Sequence, residues 1–397
     1  MMNTDIARRK FIGKIAALLG YAGVVPLELS ARQTRSRQKA AEAKSALDKK
    51  TDYDKFAKLA NNENPYGPSE TVMKAMNDAW RYANRYAYPD GGIIEAIADH
   101  HGVKPENILL GCGSSEILKI ADDAFLPDHK VVIGVEPTYE TVYRYATNSK
   151  AKAITLPLTN TYDIDMKAVI RATKLNARDV GFVYICNPNN PTGRIVHKQD
   201  IKLLLDSIPQ DILVFIDEAY HHFVDDPNYE ASIKYVIEGR KVIVARTFSK
   251  IAALAGMRLG YAVAPQEIID LLRPLVVSYN TNAVVKYGGV AALKDTAYEA
   301  KMKQLNKQLR DKTTNELKAM GYQVIPSQSN FFMVNVKKDV TQVGEEFQKR
   351  GLLVGRKFPP MNEWLRVSVG TDDDMDRFMK AFKEIFPVDK AQAKSGA

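Results

Sequence analysis

A hydroxyl, an amine and a guanidinium stand close together in residues 247–261, Thr-Phe-Ser-Lys-Ile-Ala-Ala-Leu-Ala-Gly-Met-Arg-Leu-Gly-Tyr. Lys250 sits between Ser249 and the uncharged pair Ile251-Ala252. A lysine that acts as a nucleophile must spend time neutral, and an apolar or cationic setting lowers its pKa toward that state. Arg258 follows eight residues later, and its planar fork suits a phosphate. An amine able to form a Schiff base and a phosphate-binding arginine imply a ligand carrying both an aldehyde and a phosphate. A Ser-Lys dipeptide alone reads equally as a solvated surface charge, so the surrounding chain has to decide.

Three more stretches carry polar groups at the ends of apolar runs. Gly111-Cys112-Gly113-Ser114-Ser115-Glu116 leads into a helical pattern. Free N–H groups and the helix dipole there favour a phosphate, although a glycine-rich turn with a serine cap fits this stretch as well. Asn187-Pro188-Asn189-Asn190-Pro191-Thr192-Gly193 is a rigid turn that presents an asparagine amide. Asp217-Glu218-Ala219-Tyr220 places an acid directly after four apolar residues. Such an acid is either partly buried with a partner or caps the next segment. Open α/β sheets bind ligands at the carboxyl ends of their strands.

The elements that must hold these groups alternate. Apolar runs at 108–110, 131–135, 182–186, 213–216 and 242–245 are separated by helical stretches at 115–126, 138–147, 165–174 and 197–208. This predicts βαβ units and a mostly parallel sheet covered on both faces, an α/β fold. Ser69 is placed to cap a helix carrying Val72, Met76, Ala79 and Trp80, and another helix ends at Gly102. Beyond about residue 283 the texture changes to a long helical region ending near Gly321, strands at 330–336 and 364–369, and a helix at 373–386. The expected organisation is a large sheet domain over 85–283 and a smaller α+β domain from 51–84 with 284–387. A tail covers 388–397.

The 397 residues carry a net charge of +9, but the excess is local. Residues 1–50 hold 11 Lys or Arg against 4 Asp or Glu, so the rest is nearly neutral and suggests no nucleic-acid partner. Arg8-Arg9-Lys10 precedes a moderately apolar run that is too short for a membrane span. We expect residues 1–31 to be a twin-arginine-type export signal, leaving the protein periplasmic or otherwise exported without stable membrane insertion. Residues 32–50 are expected to be a charged linker. Cys112 and Cys186 are the only cysteines and read as buried free thiols. The adjacent pairs His100-His101 and His221-His222 have no ligand-spaced partners, so no metal site is expected.

Taken in order, these stretches, with Asn62-Glu63-Asn64-Pro65-Tyr66-Gly67-Pro68, Pro137-Thr138-Tyr139 and Leu365-Arg366-Val367, resemble the fold-type-I aminotransferases that use pyridoxal phosphate. The histidinol-phosphate aminotransferase branch is the nearest match. The resemblance covers roughly residues 55–386. It implies an aspartate-aminotransferase-like architecture, a transaminase working on small amino and 2-oxo acids, and a homodimer with a shared active site. It also assigns roles. Lys250 would bind the cofactor covalently and move the proton, Asp217 would face the pyridine nitrogen, and Asn190 and Tyr220 would bond the ring's phenolic oxygen. Ser114, Ser115, Ser249 and Arg258 would hold the phosphate, with Tyr66 reaching it from the neighbouring subunit. Tyr139 would stack on the ring, Arg366 would clamp the substrate carboxylate, and Asn64 and Arg356 would contact substrate. A decarboxylase or lyase on the same fold, or a non-catalytic binding protein, are the alternatives.

One departure bears on the substrate. Histidinol-phosphate enzymes of this type usually carry an arginine directly after a Gly-apolar-apolar-Val run, whereas here Gly351-Leu352-Leu353-Val354 is followed by Gly355 and only then Arg356. In a strand, a slip of one residue turns a side chain to the other face, and a glycine bulge reverses that. The apolar residues that follow, Phe358-Pro359-Pro360-Met361, and the expected export favour aromatic or other bulky amino acids over histidinol phosphate.

Overall fold

The computed structural model describes residues 53–127, 130–148 and 151–387. The expected signal, linker and tail lie outside them. Contacts separate a leading segment, Met1–Phe56, from a body, Ala57–Ala397. The described part of the leading segment holds a 3-10 turn at Tyr53–Lys55.

The body opens with a short strand, β1 (Ala57–Leu59). Seven strands then build the main sheet: β2 (Ile108–Gly111), β3 (Val131–Glu136), β4 (Lys152–Pro157), β5 (Val180–Cys186), β6 (Leu213–Asp217), β7 (Val242–Thr247) and β8 (Gly260–Val263). Their spatial order is β2-β8-β7-β6-β5-β3-β4. All neighbours are parallel except β8, which runs antiparallel to β2 and β7. The central strands read as continuous apolar runs because both faces are covered. Val183, Ile185, Val214, Ile216 and Val244 pack into one cluster, while Phe182, Tyr184, Phe215, Ile243 and Ala245 pack into another. The sequence reading missed β4, a partly exposed edge strand, and β8, four residues long and opened by Gly260. That glycine has a steric cause, since a Cβ on it would lie 2.3 Å from the backbone nitrogen of Ser114.

Helices flank the sheet at the expected places, Ser114–Phe125, Thr141–Asn148, Met166–Leu175 and Lys198–Ser207. Ser69 caps helix Glu70–Ala79 by accepting from the Val72 N–H, and Val72, Met76 and Ala79 are buried. Trp80 does not continue that stripe. It lies past the helix end and is 59% exposed. Helix Ile93–His101 ends on Gly102 in the left-handed conformation.

The long helical region after 283 is two helices, Ala283–Lys294 and Thr296–Ala319, divided at Asp295, whose side chain caps the second. Next come β9 (Val324–Ile325), β10 (Phe331–Asn335), β11 (Leu352–Val354) and β12 (Trp364–Ser368), then helix Asp372–Ile385. Strand β10 lies antiparallel between β9 and β12, and β11 pairs with β1 in parallel. A separate cluster including Phe332, Phe347, Phe378 and Phe382 fills this part. Helix Glu70–Ala79, expected with the smaller unit, puts Val72 and Met76 into the main-sheet cluster beside Val284 and Val285. The architecture is an α/β fold with a mostly parallel sheet flanked by helices. Among the described residues no helix is long and apolar enough to cross a membrane.

Candidate active site

Strand register brings the chemistry together. Cys186, Asp217 and Ala245 stand in one row across β5, β6 and β7, and the chain runs from their carboxyl edge into Asn190, Tyr220 and Lys250. Asp217 is buried at the end of β6. Its carboxylate accepts from the Ala219 N–H at 3.1 Å and from the Tyr184 hydroxyl at 3.2 Å. Burial pushes its pKa up to about 6 against the pull of these bonds and of Lys250. Lys250 Nζ donates to the Asn61 carbonyl at 3.1 Å and lies 5.6 Å from the centroid of the Tyr220 ring. Burial, reinforced by Arg366 and Arg258 and opposed by Glu63 and Asp217, brings the Lys250 amine down to about 8. The expectation of a partly neutral lysine thus has a specific cause.

The asparagine-rich turn divides its labour. Asn187 closes the turn onto the backbone of Val196, and Asn189 ties it to Pro137, Thr192 and Thr138. Asn190 faces inward, donating to the Tyr220 hydroxyl at 3.3 Å and accepting from Arg366 Nη1 at 2.7 Å. The Tyr220 hydroxyl also accepts from the Asn62 amide at 3.0 Å, and burial raises its pKa.

The opposite end is cationic. The N-terminal turn of helix Ser114–Phe125 begins after Gly113, whose φ of +80° and tight contact admit only glycine, since a Cβ would meet an Arg258 nitrogen at 2.2 Å. Arg258 itself has φ +62°, a left-handed conformation that is costly outside glycine and recurs at functional sites. From there its guanidinium donates to the carbonyls of Cys112 and Ala255 and to the Ser249 hydroxyl. Ser114, Ser115, Tyr139, Asp217, Lys250 and Arg258 all line one cavity of about 290 Å³.

A second cavity, of about 430 Å³, shares Asn61, Tyr139, Asn190, Tyr220 and Lys250 with the first and extends to Val354, Phe358 and Arg366. Arg366, on β12, is buried, and donates through Nη1 to Asn190 and through Nη2 to the Ala60 carbonyl at 2.5 Å. Burial lowers its pKa to about 10, so it remains charged near neutrality. Its Nε has no partner among the described residues, and an unpaired buried charged donor is costly unless an anion completes it.

Arg356 lines this second cavity, so the one-residue slip does not take it out of the site. Strand β11 ends at Val354, and Gly355 packs so closely that a Cβ would lie 2.5 Å from the Arg366 carbonyl oxygen. Val354, Arg356 and Phe358, two residues apart, therefore line the same cavity. The Arg356 guanidinium pairs with Glu140 at 2.8 Å and lies 4.2 Å from the Phe358 ring centroid.

Asn64 lies away from these two cavities. Its amide donates to the Ile251 carbonyl and the Tyr298 hydroxyl and accepts from the Tyr66 N–H. An asparagine ahead of Pro-Tyr-Gly-Pro satisfies the turn instead, and the neighbouring Asn61 and Asn62 face the site. Tyr66 also lines neither cavity of its own chain and is 42% exposed. Both cysteines are free, Cys186 buried and Cys112 only partly so. Among the described residues no group of His, Cys, Asp or Glu could hold a metal ion.

The family model for aminotransferase class I and II matches residues 54–382. A curated histidinol-phosphate aminotransferase from Moorella thermoacetica is 36% identical over 335 residues, 83% of this chain and 85% of its own length. This chain belongs to the class I and II aminotransferases. A solved chain from Erwinia carotovora atroseptica shares 31% identity with this aminotransferase, covering 84% of it and 96% of the solved chain, with a TM-score of 0.80. The histidinol-phosphate aminotransferase of Sinorhizobium meliloti, solved in complex with pyridoxal-5'-phosphate, shares the fold at 24% identity and a TM-score of 0.77, covering 83% and 90%. Pyridoxal phosphate is the cofactor of this aminotransferase, and the residues present fit it. A helix N-terminus with a glycine-gated arginine stands at one end of the first cavity, a buried carboxylate lies in its wall, and an amine of lowered pKa lies beside them. The lyase and non-catalytic alternatives are not favoured by these matches.

Proposed function

We propose that Lys250, Asp217 and Arg366 carry transamination here and that the preferred substrates have bulky, uncharged side chains. We propose further that the working form is an exported homodimer. Bound pyridoxal phosphate supplies an electron-accepting ring that makes the substrate α-proton acidic. Lys250 Nζ takes that proton as a general base and returns it as a general acid, a task suited to an amine near pKa 8. The buried Asp217 carboxylate would stabilise a cationic pyridine nitrogen, and Asn190 and Tyr220, joined by their hydrogen bond, would hold the ring by its phenolic oxygen. Backbone N–H groups of Ser114 and Ser115, with Ser249 and Arg258, receive the phosphate. Tyr139 walls the ring. Arg366 grips the substrate carboxylate. The observation that carries this reading is that the buried, charged Arg366 and the lysine of lowered pKa, Lys250, line one cavity.

The substrate preference follows from the far wall, where Val354 and Phe358 are apolar and the charge of Arg356 is already paired. The named relatives point instead to histidinol phosphate. The test is kcat/KM for phenylalanine, tyrosine, histidine and histidinol phosphate with pyruvate, a 2-oxo acid with an uncharged side chain, as acceptor. We expect phenylalanine or tyrosine to lead. A clear lead for histidinol phosphate that is lost in Arg356→Ala would overturn the preference.

The dimer is supported by a surface that a monomer in water would not leave bare. Tyr86 and Tyr88 are 83% and 80% exposed, Tyr279 packs on Tyr86 with ring centroids 5.5 Å apart, and Trp80 and Val277 are exposed as well. In the proposed dimer a second copy covers these residues, and its Tyr66, 42% exposed in the single chain, is the tyrosine proposed to reach the phosphate end. Export is supported by Arg8-Arg9 and the apolar run after them. Replacing both arginines by lysine should trap the holoenzyme in the cytoplasm, and fractionation showing undiminished export would count against it.

A further inference from the structure

Within the second cavity, the cations among the described lining residues are Lys250, Arg356 and Arg366. The proposed mechanism commits Lys250 to the proton and Arg366 to the α-carboxylate, which leaves Arg356 to meet a substrate side chain. Its guanidinium is held by three contacts: the Glu140 carboxylate at 2.8 Å, the Lys357 carbonyl at 2.9 Å and the Phe358 ring. Glu140 directly follows Tyr139, which lines both cavities, so the acid is carried by the same turn that walls the site. Both partners of the ion pair are 53% exposed. A pair that exposed adds little to stability, and a charge placed beside a binding surface acts more on which ligands are accepted.

We infer that Glu140 is a specificity-determining residue: by occupying Arg356 it turns away amino acids and 2-oxo acids whose side chains carry a phosphate or a carboxylate. The inference rests on the reading that this end of the cavity takes bulky, uncharged side chains. An anionic side chain that is to pair with Arg356 must displace the Glu140 carboxylate from it, which costs free energy that an aromatic ring stacking near Phe358 does not incur. Donor and acceptor use the same cavity in turn, so the same filter applies to both half-reactions.

The experiment uses holoenzyme as wild type, Glu140→Gln, Glu140→Asp, Arg356→Ala and the Glu140→Gln/Arg356→Ala double variant. The quantity read is the ratio of kcat/KM for histidinol phosphate to that for phenylalanine, with pyruvate, whose side chain is uncharged, as a fixed acceptor. Glu140→Gln should raise the ratio roughly three- to tenfold, mainly through KM for histidinol phosphate. Glu140→Asp should return it toward wild type. In the Arg356→Ala background the gain should vanish, because Glu140 then has no cation to occupy. An unchanged ratio in Glu140→Gln, or a gain that survives Arg356→Ala, overturns the inference. A wild-type preference for histidinol phosphate would instead overturn the substrate reading, whatever the direction of the Glu140→Gln change.

Discussion

The two ends of the combined cavity are built in opposite ways. At the cofactor end, Asp217, Asn190, Tyr220 and Ser249 are buried, they follow the edges of adjacent parallel strands, and their polar atoms bond one another or nearby backbone. At the side-chain end, Glu140 and Arg356 are half-exposed and sit on loops, joined by a single ion pair between residues far apart in sequence. The first arrangement fixes geometry, which proton transfer requires. The second leaves geometry loose and sets only the sign of the local charge. Two arginines mark the contrast over one phenylalanine. The guanidinium carbons of Arg356 and Arg366 lie 4.2 Å and 4.7 Å from the Phe358 ring centroid, yet one is exposed and paired while the other is buried with a donor to spare.

If the cofactor end is the rigid one, small changes there should cost most. Asp217→Asn keeps the size of the side chain and removes its charge. We expect kcat to fall on the order of a thousandfold, with the fold retained by circular dichroism, and a loss below tenfold would break the contrast between the two ends. In the proposed homodimer, Tyr66→Phe should act next in size, and only through the partner. Cofactor affinity is expected to weaken about tenfold, measured by equilibrium release, with the dimer intact by sedimentation. Unchanged affinity would remove Tyr66 from the shared site.

The cofactor end also rests on helix Ser114–Phe125, and that helix carries an anomaly. Asp122 is fully buried, both its carboxylate oxygens lack partners among the described residues, and burial raises its pKa to about 8. Its folded pKa lies above the unfolded value near 3.9, so its contribution to stability is fully present below about pH 4 and is lost as pH rises through about 8. Asp122→Asn should therefore raise Tm at pH 8 by a few degrees and by less at pH 5, read by thermal denaturation. An equal shift at both pH values would mean that the carboxyl does not titrate in this window.

The same contrast explains what the sequence disclosed. The rigid end was legible because strands covered on both faces leave unbroken apolar runs, and polar residues just after them stand out, as Asp217 and Asn190 do. Strands β4 and β8 escaped because one is an edge strand with an ordinary mixed composition and the other is too short to show a pattern. Tyr184 was missed although a buried tyrosine inside an apolar run must place its hydroxyl somewhere, and here it reaches Asp217. Asn61 and Asn62 line the second cavity and were not singled out, because residue type alone does not tell which asparagine of a turn faces inward. The loose end was hardly legible at all. The slip argument for Arg356 assumed a strand running through it, whereas β11 stops at Val354, and Glu140 gains its meaning only from a residue brought beside it by the fold.

The central claim is that Lys250 is the residue that binds the cofactor and moves the proton. Lys250→Ala, purified with excess pyridoxal phosphate, tests it most directly through two readings on one sample. The account predicts no transamination above background and no absorption band from cofactor joined covalently to a lysine, in a protein that still binds the cofactor without that bond. Normal turnover together with an unchanged spectrum would contradict it.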